Sequence, residues 1–160
     1  MKNYSIEIKW TFRFILLILA WAIGEKLVGL HDTHIDKYGL YSNLFAIPAI
    51  LFYVLALNEK KKYVFNGNMT WKQGFVCGVT LSSFIALLNP FAQYMIYSSI
   101  TPHFFETIIE YKTKCGHPIT LKMAQDYFNM KSYIIQNSFN GLSYGIITGA
   151  LASWFVRTKK

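Results

Sequence analysis

The chain has 160 residues, enough for one domain with one core. Hydrophobic residues make up 53% of it and charged residues only 15%, whereas a soluble domain carries about 25% charge, so the composition belongs with membrane proteins. The net charge of +8 first points to nucleic acid, but the basic residues are interleaved between apolar runs and gather on no single face or tail, which excludes a nucleic-acid footprint.

Near the amino terminus Tyr4, Ile6, Ile8, Trp10 and Phe12 alternate with polar residues, a strand pattern when taken alone. Because it leads straight into FILLILAWA, it reads better as an interfacial lead-in to a helix, with Trp10 at headgroup depth. Lys2, Lys9 and Arg13 before that run, and Ala20-Trp21-Ala22 after it, imitate a signal peptide. Apolar character resumes at Leu27, and Trp21 is bulky at the middle position, so the segment is expected to stay as a first span over about residues 12–30.

Residues 31–43 form a polar connection, and a second span is expected over about residues 42–57, kinked at Pro48. Lys60, Lys61 and Lys62 follow, then a turn at Asn66-Gly67-Asn68, with Thr70 as N-cap of the next helix. Gln73 to Ile100 holds no Asp, Glu, Lys or Arg over 28 residues, and about 20 apolar residues suffice to span a bilayer. This third span, residues 73–99, carries Gly74, Gly78 and Ser82 at every fourth position and a second expected kink at Pro90 after Asn89. Thr101-Pro102 is expected to open a short helix with Phe104, Phe105, Ile108 and Ile109 on one side, ended by Gly116. Thr120 caps a second short helix that stops near Asn129. A fourth span, residues 134–156, repeats Gly141, Gly145 and Gly149 at the same four-residue interval.

The fold expected is therefore an all-α membrane protein: a bundle of four transmembrane helices, with two short amphipathic helices in the outer loop between spans three and four. Placing both termini in the cytoplasm leaves ten of the 16 Lys and Arg residues inside, as the positive-inside bias requires. Cys77 and Cys115 then lie at different depths and do not pair.

Few residues suggest chemistry. His31, Asp32, His34 and Asp36, with Glu25 nearby, hold two imidazoles at i and i+3 among carboxylates, with His103 or His117 as a third metal ligand. The competing reading is a headgroup-level loop in which these side chains cap backbone groups; on it His31, His34 and Asp36 are dispensable for assembly, and neither a metal nor a cofactor is expected. Glu25 can alternatively be a buried proton-handling carboxylate, or sit at the interface beside Lys26. Glycine rows let helix backbones approach closely in lipid, where burial from water drives nothing; they serve either packing within the chain or an interface with a partner. The aromatic-rich stretch from His103 to Tyr133 either covers the mouth of the bundle or forms a groove.

The phrases EKLVGLHD, NLFAIPAILFYVLAL, MTWKQGF, NPFAQYMI with ITPHFF, and YFNMKSYIIQN occur in order along nearly the whole chain. Together they resemble an uncharacterised family of small four-span membrane proteins common in Bacteroidota. The resemblance implies an inner-membrane location and proximity to polyprenol-linked glycosyl transfer, and it carries no catalytic residue over. Where that family keeps a small residue before the proline of span three, this chain has Asn89.

The leading expectation is a subunit or scaffold without chemistry of its own, lying in the lipid bilayer and packing against another integral membrane protein, a polyprenol-phosphate glycosyltransferase or secretion machinery, or on itself. The alternative is a small carrier or flippase-like protein for a lipid or lipid-linked sugar, and a membrane enzyme comes third. The three differ structurally. A scaffold needs no polar path, a carrier needs a polar cavity reaching mid-membrane, and an enzyme needs Glu25, His31, Asp32 and His34 to converge.

Overall fold

The computed structural model describes residues 4–114 and 119–158, and among these every regular element is helical. Six helices are formed: α1 (Ser5–Leu27), α2 (Ala46–Val64), α3 (Trp71–Met95), α4 (Phe104–Lys114), α5 (Leu121–Tyr127) and α6 (Met130–Val156). The amino-terminal alternation does not make a strand. Glu7, Trp10, Thr11, Phe14, Ile15, Ala22 and Glu25 are the buried positions of α1, and they recur at the helical period from its first turn.

Helix α1 ends in a Schellman turn. Gly29 has φ +77°, the Leu30 N–H donates to the Glu25 carbonyl at 2.9 Å, and the Gly29 N–H donates to Lys26 at 3.0 Å. This turn sends the chain back over the end of the bundle. The expected polar connection is itself largely helical, with 3₁₀ turns at Ile35–Lys37 and Ser42–Phe45 around a single α-turn at Tyr38–Tyr41. Pro48 sits not in the interior of α2 but in its first turn, where the leading N–H groups lack intrahelical acceptors anyway. Helix α2 also runs past its expected end at Leu57, because nothing stops it before Asn66 and Gly67, both at positive φ.

Thr70 caps α3 as its sequence predicts, in a full capping box with Gln73. Pro90 lies inside α3, and the helix closes through a π-turn at Ile96–Ile100, in which the Thr101 N–H reaches the Ile96 carbonyl at 2.8 Å. Helix α4 begins at Phe104, two residues beyond Pro102. Gly116, its expected stop, lies outside the described residues, as do Cys115 and His117. Thr120 and Asn129 cap α5 and α6 through their side chains.

The four long helices run alternately up and down. At one end Lys60 Nζ pairs with Glu7 at 2.8 Å, and Lys61 Nζ donates to the Val156 carbonyl, also at 2.8 Å. Both members of the Glu7–Lys60 pair are buried. At the far end Lys26 Nζ donates to the Ile100 carbonyl. The closest seam joins α3 to α6. A Cβ on Gly78 would stand 2.8 Å from Gly149 Cα, one on Gly74 would meet Ser153 at 3.0 Å, and one on Gly145 would meet Ser82 at 2.7 Å. The two rows are therefore spent on each other, antiparallel, with backbones in contact. Gly141 falls outside this seam, since its missing Cβ would meet nothing nearer than Asn89 Nδ2 at 3.9 Å.

By length and composition two helical stretches can cross a membrane, Ile35–Val64 and Trp71–Ile100, with mean hydropathy of 1.9 and 1.7 in their most apolar windows. Helix α1 carries the charged residues Glu7, Lys9, Arg13, Glu25 and Lys26. Two packed clusters fill the interior. One, around Phe14, Tyr53, Leu57 and Leu81, lies toward the end that holds Glu7 and Lys60; the other, around Ala22, Ile96, Tyr97, Phe104 and Ile108, lies under α4.

Candidate ligand cavity

Between the clusters is a cavity of about 400 Å³, walled by all four long helices and the 38–46 segment. Its inner limit is Phe14, Tyr53 and Gly145, near the middle of the helices, and it extends to Glu25, His31 and Tyr97. Asn43 and Ala46 on one side and Asn140, Gly141 and Tyr144 on the other are its exposed lining residues. The mouth therefore opens sideways, between the start of α2 and the middle of α6.

At the closed end Glu25 is, among the described residues, the only acidic one in the lining. It is 8% exposed. Its Oε1 accepts from Trp21 Nε1, one helical turn back, at 2.9 Å and from Ser42 Oγ at 2.5 Å, while Oε2 meets His31 Nε2 at 3.2 Å. Facing a carboxylate, that imidazole nitrogen carries hydrogen. His31 is 2% exposed, with its ring 5.3 Å from that of Tyr38 and 5.4 Å from that of Phe104. Its Nδ1 is buried and has no hydrogen-bond partner among the described residues. The expected loop placement of His31 and the interfacial placement of Glu25 are thus corrected: the Schellman turn folds His31 back over Glu25 and both are core groups.

Their sequence neighbours do not join them. Asp32, His34 and Asp36 are exposed, and His34 Nδ1 lies 3.1 Å from Thr33 Oγ1. His103 is exposed beside Glu106. Among the described residues no three of His, Cys, Asp and Glu gather as a metal site would require. Glu25, His31, Asp32 and His34 do not converge.

A second polar wall was not singled out from the sequence. Gln93 Nε2 donates to Asn89 Oδ1, and Asn137 Nδ2 donates to Gln93 Oε1, each at 3.3 Å. This row of carboxamides crosses from α3 to α6 along the cavity, with Asn140 one turn further on. In the sequence Asn89 marks, with Pro90, either a kink or a stretch of unwound backbone near a ligand. The available signal was amide side chains at i, i+4 inside otherwise apolar helices, where polar groups are costly unless used. Deeper in, Tyr53 and Ser82 share a hydrogen bond of 2.8 Å beside Gly145. Pro90 has no N–H to offer the carbonyl of Ala86, another lining residue.

The cavity can hold a small or chain-bearing ligand by apolar contact and hydrogen bonds. It presents one carboxylate, five carboxamides and, among the described residues, no Lys or Arg. No curated protein and no solved structure matches the chain. The profile of a family described as "Protein of unknown function (DUF4199)" matches residues 9–158, and the chain belongs to that family.

Proposed function

We propose that this chain is a four-span inner-membrane protein, with both termini cytoplasmic, that takes the head of an amphipathic molecule into its cavity from the side. This is the carrier-type reading. The observation that carries it is the cavity itself, which reaches the middle of the helices, sets a row of polar groups in a mostly apolar wall, and opens between α2 and α6.

Four spans are supported by what the outer faces carry. Phe12 and Leu16 on α1, Ile47 and Leu51 on α2, Leu87 and Phe91 on α3, and Phe139, Ile147 and Phe155 on α6 are all exposed. Apolar surface on the outside of every long helix is stable where lipid covers it. A mouth between two such helices then faces acyl chains, and a ligand with its own apolar tail enters without leaving the bilayer. A pure scaffold has no use for the polar interior, and apart from Gly141 the glycine rows it would offer a partner are occupied within the bundle.

Gly141 allows a direct test. Its Cβ direction is open toward the cavity, so Gly141→Phe fills the space without displacing backbone. Purified from membranes in mild detergent, the wild-type chain should carry an amphiphile detectable by native mass spectrometry. Gly141→Phe, and Ala46→Phe from the opposite lip, should melt as the wild type does and lose at least about 90% of that mass adduct, the tenfold change that about 1.4 kcal/mol produces. Equal adducts in all three proteins would overturn the reading.

A further inference from the structure

From the chemistry of the cavity wall we infer that the head it takes is uncharged and rich in hydroxyl groups, as in a glycoside borne on an apolar chain. The inference rests on the proposed ligand cavity and adds the ligand class.

Charge decides first. No Lys or Arg lines the cavity among the described residues, and the imidazole that does, His31, is turned to Glu25, so no free cation there compensates a phosphate or carboxylate head. Such a head would also meet Glu25 inside a low-dielectric wall, where like charges repel strongly. A cationic head fares little better. Glu25 already faces three donors, Trp21, Ser42 and His31, and its side chain is only 10% exposed. A cation in the cavity would be desolvated without reaching a free carboxylate.

Hydroxyl groups do fit. Asn43, Asn89, Gln93, Asn137 and Asn140 each carry two N–H donors and a carbonyl acceptor, of which Asn43 already gives one donor to the Gly39 carbonyl. The row Asn137–Gln93–Asn89 uses one donor from each of Asn137 and Gln93 and one acceptor from each of Gln93 and Asn89, which leaves the Asn89 amide donors and the Asn137 carbonyl for a ligand. An alcohol both gives and takes a hydrogen bond, so a carboxamide pairs with it in both senses. Trp21 and Tyr144 add aromatic faces for the C–H side of a sugar ring. The volume of about 400 Å³ is in the range of small-molecule sites. A site built from amide hydrogen bonds also rejects analogues that lack hydroxyls, because its own polar groups are then left unpaired.

The test uses the full chain in phosphatidylcholine nanodiscs and four probes with one dodecyl chain bearing a diazirine: a glucoside, a phosphate, a trimethylammonium and the plain alcohol. Cross-linked peptides are mapped by mass spectrometry. The glucoside should label residues 42–46 and 137–148 at least tenfold more than the phosphate or ammonium probe, with unlabelled dodecyl glucoside as competitor. Asn140→Leu, at the exposed lip, and Asn137→Leu should each reduce glucoside labelling about tenfold and reduce labelling by the plain alcohol, with its single hydroxyl, far less. Preferential labelling by the phosphate or ammonium probe would overturn the ligand class and leave the cavity reading standing. Labelling of these residues by none of the four would overturn both.

Discussion

Gly145→Ala adds one methyl group at the tightest point between α6, α3 and α2. The new Cβ would stand 2.7 Å from Ser82 Oγ, 2.9 Å from Ser82 Cβ and 2.8 Å from Tyr53 OH. Neither neighbour can step aside cheaply, because Tyr53 and Ser82 are buried and bonded to each other at 2.8 Å. The helices must part or that hydrogen bond must break. Overpacking by a methyl group costs about 1–3 kcal/mol, and a buried hydrogen bond about 1 kcal/mol, so the loss should be about 2–4 kcal/mol. Gly141→Ala, one turn away, is the internal control. It makes the same chemical change into open space, and replacing glycine by alanine within a helix should stabilise by about 0.5–1 kcal/mol. Reversible unfolding in mixed micelles, followed by circular dichroism, compares the two. If both variants unfold at the same denaturant fraction, the account of the glycine seam is wrong.

Removing the His31 ring should destabilise by about 2–4 kcal/mol, since His31→Ala opens a buried space and takes a donor from Glu25; His34→Ala and Asp36→Ala, on exposed side chains, should stay within about 0.5 kcal/mol in the same unfolding assay. Lys60→Met leaves Glu7 buried with its cation removed and should cost about 3–5 kcal/mol, while the double variant Glu7→Leu, Lys60→Met should recover most of it, as a double-mutant cycle will measure. In a background with both cysteines changed to alanine, an impermeant maleimide should label Lys122→Cys in intact spheroplasts and Asn68→Cys only after lysis. The reverse pattern would invert the proposed orientation.

Much of the scaffold was legible from spacing. Thr70 and Thr120 announce helix starts because a hydroxyl ahead of an apolar helical period has one common use. Gly74, Gly78 and Ser82 against Gly145, Gly149 and Ser153 could be read as contact stripes, since four residues return a helix to nearly the same face. Their mutual pairing could not, because a stripe carries no label of its partner. Gly141 has the same spacing as the others and lines the cavity instead. The cavity end was hidden for a different reason. His31 lies six residues past Glu25, and in sequence it belongs to a polar loop; only the left-handed turn at Gly29 folds it back into the core. The amide wall joins Gln93 to Asn137, 44 residues apart, so no local pattern contains it.

Helix α3 has two unequal halves, and this gives the molecule a mechanical asymmetry. Up to Ser82 it is clamped to α6 backbone against backbone, leaving no slack for sliding or rotation. Beyond Ala86 the ladder is interrupted twice, by the missing N–H of Pro90 and by the wider π-turn at Ile96–Ile100. The piece between these interruptions carries Gln93 and abuts Ile96 and Tyr97, all on the cavity wall. Strain from an occupant would be absorbed there, as a swivel of one short segment, while the half up to Ser82, packed against α6, stays fixed. Amide hydrogen exchange in nanodiscs should therefore divide α3 near Ala86, slow toward Trp71 and faster toward Ile100, with ligand binding slowing only the second part.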